Sequence, residues 1–559
     1  MKFQLPLAFT PKLFTTLKEG YSKQDFFKDL IAGLIVGTVA LPLAIAFGIA
    51  SGVTPEQGLI TAIVGGFIIS VLGGSRVQIG GPTGAFIVVI YGVVQKFGVN
   101  GLLIATVASG VIVLIMGLAK FGGVIKFIPA PVVTGFTSGI AIIIFSSQIK
   151  DLFDLKMGAV PADLIAKWEE YGQHFTSFNW YALGLAALTI LIIIYSPRVT
   201  TKIPGPFIAL ILCTIIVQIF NIPVETIGSK FSTFGGALPT PQIPNITYSA
   251  IKDLFPSIIT MSVLISIESL LSAVVADGML GTKHRSNMEL VAQGIANIAS
   301  PLFGGIPATG AIARTATNIK SGGRTPIAGI IHSVFLLLVV LAIGKYVRVI
   351  PMPVLAAILV IASYNMSEWR TFKSMLRAPK SDVVILLTTF ILTVLIDLTV
   401  AIEVGMVLAA FLFMHRMAMV TNVKVITGEL TDEEGTEGAG LINKDIPKGV
   451  QVYEINGPFF FGAAEKFIET IRDMSIAPKV FILRMRNVTA LDATGMKAID
   501  DIWKKMAHLK GLFLIAEIHS QPFIALEQSG FLKKLGEENV IGSLDLALES
   551  AKKWLDSPK

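Results

Sequence analysis

Charge is what this sequence has least of. Only 15% of its 559 residues are Asp, Glu, Lys or Arg, against 53% hydrophobic, where soluble chains carry roughly 25% charged residues. So little charge excludes an ordinary soluble globule and points to an integral membrane protein, and the mean hydropathy of +0.73 agrees. Cysteine is almost missing. The single one, Cys213, stands in an apolar run, excludes an intrachain disulfide and is read as packing. The six histidines form no cluster and no metal-ligand spacing occurs, so no firm metal site is assigned. No Walker-type nucleotide motif is present, which removes the usual support for ATP hydrolysis, and no cofactor is expected. The start, MKFQLPLAFTPKLFTTLKEGYSKQDFFKDL, is basic and amphipathic with no long apolar core, so no cleavable signal peptide is expected. The net charge of +7 requires no nucleic-acid partner; much of the excess lies in short loops between apolar runs, where it reports orientation.

Among the apolar runs, one stretch is poor spanning material. Gly304 to Arg314 reads GGIPATGAIAR, and its glycines and proline break any helix that enters it. A short helix can restart near Ala311, with its first amides unpaired. Gly80 to Ala85, GGPTGA, repeats the device, and Thr83-Gly84-Ala85 lies 226 positions before Thr309-Gly310-Ala311, the same offset that separates Gly52 from Gly278. Broken backbone at membrane depth survives only where it is buried in protein or lines a cavity. Two interrupted segments at corresponding places in two halves point to a transporter's binding site. A helix N-terminus offers free N–H groups and about half a positive charge, which suits an anion. An ordinary re-entrant turn or kinked helix is the plainer alternative.

At roughly 20 apolar residues per crossing, about fourteen spanning or half-spanning segments are expected, from 28–49 to 399–418. Segments 83–96 and 309–320 are too short for a full crossing. With the N-terminus inside, the loops after even-numbered segments collect Arg76, Lys120, Lys126, Arg198, Lys202, Lys283, Arg285, Lys320, Arg324 and Arg370, while the loop 149–178 is net acidic. Lys345 and Arg348 are exceptions. The balance places both termini in the cytoplasm. Two ionisable residues inside apolar segments stand out, because burial there is costly unless they are paired or functional: Glu268, in VLISIESLLSAVV, and Arg314, about one turn into the second restarted helix. Asp277 and Glu289 are placed near a membrane edge as structural or interfacial. After about residue 420 the pattern changes to an acidic, glycine-containing linker and then to strands alternating with helices, a small soluble α/β unit.

The segments LPLAIAFGIASG, GGPTGA, SIESLLSAVVADG, ELVAQGIANIASPLFGGIPATGAIARTATNIKSGGRTP and NVTALDATG resemble the sulfate permease (SulP) family of anion transporters with a C-terminal STAS domain. The resemblance covers about 25 to 550. It implies an α-helical polytopic membrane protein of about 14 segments in two inverted seven-segment repeats, with core and gate domains, plus a small cytoplasmic α/β STAS domain. The division expected is a cytoplasmic N-terminal segment 1–24, a transport domain 25–422 (repeats about 25–245 and 250–420), a linker 423–448 and the STAS domain 449–559. It implies a small inorganic or organic anion, such as sulfate, bicarbonate or a dicarboxylate, carried across the cell (inner) membrane by elevator-like alternating access, in a homodimer within the lipid bilayer. The substrate would lie between Thr83, Gly84 and Ala85 on one side and Gly310, Ala311, Ile312, Ala313 and Arg314 on the other. Glu268 would couple transport to H+, or with Ser272 to Na+. Thr83 could equally cap its own helix, and Arg314 could pair with Glu268. Leu43 stands where many relatives have glutamine, which weakens a sulfate-specific reading, and Ala493 stands where a phosphorylated serine would be. An uncoupled channel or exchanger, a nucleobase permease of the same fold, and a membrane sensor signalling through the STAS domain are the alternatives; the STAS tail and Arg314 oppose the nucleobase permease.

Overall fold

The computed structural model describes residues 7–123, 128–158, 160–161, 163–200, 203–231, 240–244, 247–396, 398–420, 422–426, 446–472 and 478–557. Lys126, Lys202 and most of the expected linker (427–445) lie outside them. The chain divides into two compact units, Met1–Ala409 and Ala410–Lys559.

The first unit is helical. Its principal helices are α1 (Lys23–Ala50), α2 (Pro55–Leu72), α3 (Ile87–Leu118), α4 (Ala130–Ser147), α5 (Trp180–Val199), α6 (Gly205–Phe220), α7 (Tyr248–Leu280), α8 (Ser286–Leu302), α9 (Ile312–Lys320), α10 (Pro326–Ile343), α11 (Met352–Met366) and α12 (Lys380–Leu395), followed by α13 (Leu398–Val420), whose chain passes from the first unit into the second. Two short strands, β1 (Gly80–Gly81) and β2 (Thr309–Gly310), lie at the breaks. Each expected segment is found as a helix. The two expected over 83–96 and 101–119 follow one another without a loop and are divided at Gly98, whose φ of 70° and ψ of −179° fall outside helical space; glycine takes that conformation without the strain a side chain would add. Among the described residues, eight helices are long and apolar enough to cross a bilayer. Others are shorter, like α6 and α8, and α9 is both short and polar.

Packing sorts these helices into two sets. In one, α3 lies along α8 and α7, while α10 lies along α1 and α2. In the other, α4 packs on α12 and α11, and α5 packs on α6 and α11. Both breaks belong to the first set, and α8 is what holds them in place. Glu289, Gln293, Asn297 and Ser300 form a stripe at helical spacing along α8, and all four are fully buried. Glu289 accepts hydrogen bonds from the amides of Gly74 (2.8 Å) and Ser75 (3.1 Å), and from the Gln78 and Gln293 side chains (3.0 and 2.9 Å). It thereby fixes the chain that leads into the first break. Asn297 brackets Ala308, accepting from its amide at 2.8 Å and donating to its carbonyl at 2.7 Å, and fixes the chain that leads into the second. Backbone groups with no water to bond are costly to leave unpaired in a membrane, so this stripe stabilises the irregular backbone of both breaks. Glu289 is therefore buried and structural, not interfacial.

The second unit holds a five-stranded sheet: β3 (Asn422–Ile426), β4 (Val450–Asn456), β5 (Val480–Asn487), β6 (Leu512–Ala516) and β7 (Val540–Ile541), in that spatial order. β3 runs antiparallel to β4 and the other neighbours run parallel. The parallel connections are made by helices, among them Phe461–Arg472 and Ala493–His508. The first residues of the expected linker are thus a strand: Asn422–Val425 alternate polar and apolar, and Val423–Ile426 pair with β4. Asp492 caps the Ala493–His508 helix by accepting from the Gly495 amide at 2.8 Å.

Candidate functional site

The two breaks meet. β1 and β2 pair antiparallel, Gly80 against Gly310 and Gly81 against Thr309, which brings their backbones within about 5 Å. Because the pairing is antiparallel, the helices that follow leave the crossing in opposite directions and present their N-terminal ends toward it. Nearby hydroxyls lock the crossing. The Ile79 amide donates to Thr315 Oγ1 (3.0 Å), Ser272 donates to the same oxygen (3.2 Å), and Ser269 bonds Thr309 (2.6 Å) and accepts from the Gly310 amide (3.3 Å).

This locking uses up some donors that the sequence suggested for a ligand. The Ala311 amide donates to the Ile79 carbonyl at 2.9 Å, and the Gly310 amide is taken by Ser269. The free end begins one residue later. No side chain caps α9, and its first internal bond runs from the Thr315 amide to the Ala311 carbonyl. The amides of Ile312, Ala313 and Arg314 precede that bond. Ile312 and Ala313 are exposed, so this end is open.

The other helix start is closed. A 3-10 turn over Gly84–Phe86 precedes α3, with Thr83 extended before it and no side-chain cap. Gly84 and Ala85 are buried. A Cβ at Gly84 would lie 2.7 Å from Met366 Sδ and 3.3 Å from Ile144 Cδ1. Those two side chains sit on α11 and α4, in the second helix set, so that set packs directly against Gly84.

Thr83 does not cap its own helix. Its hydroxyl donates to Glu268 Oε2 at 3.0 Å, which connects the carboxylate on α7 directly to the first helix start. Glu268 is half-buried. Ser272, one turn further along α7, bonds Thr315 and so serves the crossing. Arg314 is 2% exposed. Its Nη2 donates to the Pro82 carbonyl, no salt bridge within 4 Å joins it to Glu268, and its Nη1 has no partner. A Cβ at Gly81 would lie 2.5 Å from that Nη1, so the guanidinium rests against the first break while its helix starts at the second. A buried cation with an unused donor at the meeting point of two helix N-termini can hold an anion.

Sequence reading missed Ser269, Thr315, Gln78 and Met366. The serines of α7 carried a signal, since Ser262, Ser266, Ser269 and Ser272 recur at helical spacing inside an apolar run. Met366 carried none. Gly310 has a further requirement, because a Cβ there would overlap the Gln78 amide. Gly310→Ala is expected to force Gln78 away from Glu289, at about 1–3 kcal/mol of stability. A lowered thermal midpoint in detergent would show it; an unchanged midpoint would contradict the crossing as described.

The sequence pattern of the Sulfate permease family matches residues 26–389, and that of the STAS domain matches residues 442–547. A putative sulfate transporter of Bacillus subtilis, YvdB, is 40% identical over 93% of this chain and 97% of its own. The transmembrane domain of the cyanobacterial bicarbonate transporter BicA superposes with a TM-score of 0.62 at 30% identity, covering 70% of this chain and 98% of that one. The murine anion transporter Slc26a9, in an inward-facing state, superposes with a TM-score of 0.87 over 99% of this chain and 96% of its own; at 18% identity that likeness speaks to the fold alone. With most of its length matched to one family and a full-length relative at 40% identity, the chain belongs to the Sulfate permease family: it is a multi-pass membrane anion transporter with a C-terminal STAS domain, not an enzyme.

Proposed function

We propose that the protein is a secondary active transporter of a small oxyanion, sulfate or bicarbonate, bound where the two helix starts converge. The amides of Ile312, Ala313 and Arg314 hold it on the open side, the Arg314 Nη1 supplies charge, and the amides of Gly84 and Ala85 complete the site when Met366 and Ile144 withdraw. The observation that carries this reading is the unpartnered, buried Arg314 Nη1 beside two uncapped helix N-termini.

The division of the helices into two sets supports alternating access. The set that contains both breaks would move as one body, and the set that contains α4 and α11 would stay as the scaffold that covers and uncovers the site. The membrane part is assigned to about 25–422 and the STAS domain to 449–559, with both termini in the cytoplasm and the assembly a homodimer in the inner membrane.

Glu268 and Thr83 supply a coupling device. An ionised Glu268 accepts the Thr83 hydrogen and adds negative charge beside the anion. A protonated Glu268 instead donates to Thr83 Oγ1, which turns the Thr83 hydrogen toward the anion and removes that charge. Both changes favour anion and proton binding together, the behaviour of a symporter. Sodium bound at Glu268 would neutralise the charge in the same sense but would leave the Thr83 hydrogen free through competition for the carboxylate.

Purified protein in liposomes tests this directly. Labelled sulfate should enter, with unlabelled sulfate, bicarbonate and dicarboxylates ranked as competitors, and with Na+ and a pH gradient imposed separately. Binding without flux of any labelled anion would instead favour a sensor.

A further inference from the structure

A cavity of about 970 Å³ lies away from the crossing, among the loops that the charge bias assigns to the outer face. It follows the first half of α3 from Lys96 back to Ile87, three residues past Gly84. One wall is a short amphipathic helix, Leu164–His174, pinned to α4 by Trp168 Nε1 on Ser146 Oγ (3.2 Å) and by the Tyr171 hydroxyl on the Ser146 carbonyl (2.9 Å).

The charges in this cavity are unequal in their engagement. Lys230 is paired with Asp151 at 2.8 Å. Lys150 donates to the carbonyls of Met157 and Gly158 at 3.0 and 2.7 Å. Asp163 caps its own helix through the Ala166 amide at 3.0 Å. Lys96, Asp253 and Glu403 are exposed at the rim. Lys167 remains. It is 3% exposed, and among the described residues no carboxylate lies within 4 Å of its ammonium and no hydrogen bond to it is found. Burial pushes its pKa below the ordinary lysine value, and Asp163 opposes that shift. Lysines are rarely buried unless paired; the Lys167 side chain lines the cavity, and its Nζ is not among the fully enclosed unpartnered atoms, so the ammonium keeps access to that space.

We propose that Lys167 anchors a second anion-binding subsite in this cavity, which takes a small oxyanion of the transported class before it reaches the crossing. The proposal rests on the transport reading above. Lys167 acts locally and not through a field over the whole cleft, because Lys96, Lys150, Lys167 and Lys230 share the lining with Asp151, Asp163, Asp253 and Glu403; a charge-assisted hydrogen bond from its ammonium holds the anion. The subsite therefore acts on entry from the cavity side and has no part in the conformational step.

Two measurements test it. In liposomes, Lys167→Gln should raise the KM for sulfate entering from the cavity side by about tenfold, the loss of one charge-assisted hydrogen bond, leave kcat and efflux from the opposite side unchanged, and lose its effect at high salt; Lys167→Arg should restore the KM. A merely structural lysine would lower kcat and the yield of folded protein instead. The second measurement does not depend on transport. Trp168 neighbours Lys167 and is half-exposed, so a sulfate titration of Arg314→Ala protein followed by tryptophan fluorescence should show a saturable change that Trp168→Phe and Lys167→Gln each remove. A wild-type KM in Lys167→Gln, no saturable change with sulfate, or a change that survives Lys167→Gln overturns the subsite. Absence of sulfate flux in the wild type would tell against the transport reading and leave the titration to be judged alone.

Discussion

Replacing Arg314 by alanine is expected to lower sulfate uptake at sub-saturating concentration by on the order of 100-fold, while the protein still folds. The size follows from the chemistry: a charge-assisted hydrogen bond in a water-poor site contributes about 1.5–3 kcal/mol, and the long-range field of the guanidinium adds to it. The folded state should tolerate the change because the crossing has other supports. The β1–β2 pairing, the Ala311–Ile79 bond and the Thr315–Ile79 bond all remain, and only the Pro82 carbonyl loses a donor. Arg314→Lys keeps the charge but not the forked donor set, so it should recover part of the loss. Initial rates and the thermal midpoint of each variant decide the matter. A normal KM in well-folded Arg314→Ala would remove Arg314 from the site.

Glu268→Gln should produce the other large effect, on accumulation and not on binding. A glutamine at this position can donate to Thr83 Oγ1, as a protonated Glu268 would, but it cannot release a proton. The variant should therefore exchange sulfate down its gradient at near-normal rates and fail to concentrate it when a pH gradient is imposed. With one proton per anion, each pH unit supports up to about tenfold accumulation, since one unit is about 1.4 kcal/mol. Liposomes acidified outside by two units would thus separate wild type from variant by as much as about 100-fold. If Glu268→Gln retained the full pH-driven accumulation, the proton would be carried elsewhere. Accumulation that follows a Na+ gradient and ignores pH in the wild type would assign the coupling to sodium.

Much of this site is legible in the sequence. The two glycine- and proline-containing breaks stand out because nothing else in the apolar runs interrupts a helix so sharply, and Glu268 and Arg314 stand out because charge inside such runs is costly. What a sequence cannot display is how donors are shared. The Ala311 amide is ordinary in sequence, yet it is committed to Ile79, more than 230 positions earlier, so the unpaired amides of the helix start at Ile312. The Thr83–Glu268 bond joins residues 185 positions apart, and local reasoning about Thr83 reaches only as far as a helix cap. Glu289 reads as structural or interfacial because it lies near the start of its segment; its burial follows from the loop 73–79 folding over it, which is a tertiary fact. The strand Asn422–Ile426 is hidden for a different reason. It is short, and the acidic stretch that follows it dominates the local composition, while its partner begins at Val450.

The fold is easier to read than the site. Helix count and order follow from hydropathy and length, and the α/β tail follows from alternating periods. Gly98 shows the limit of that reading: the sequence indicates two segments there, and the structure joins them end to end at one residue with positive φ.

The central claim is that a transported oxyanion sits between the two helix starts. Selenate replaces sulfate with a strong anomalous scatterer, so diffraction from crystals of selenate-loaded protein locates the anion itself. The account predicts one saturable selenate within hydrogen-bond distance of the Ile312 and Ala313 amides and of the Arg314 guanidinium, lost in Arg314→Ala. Selenate bound elsewhere in the membrane unit at saturation, with nothing at the crossing, would contradict it.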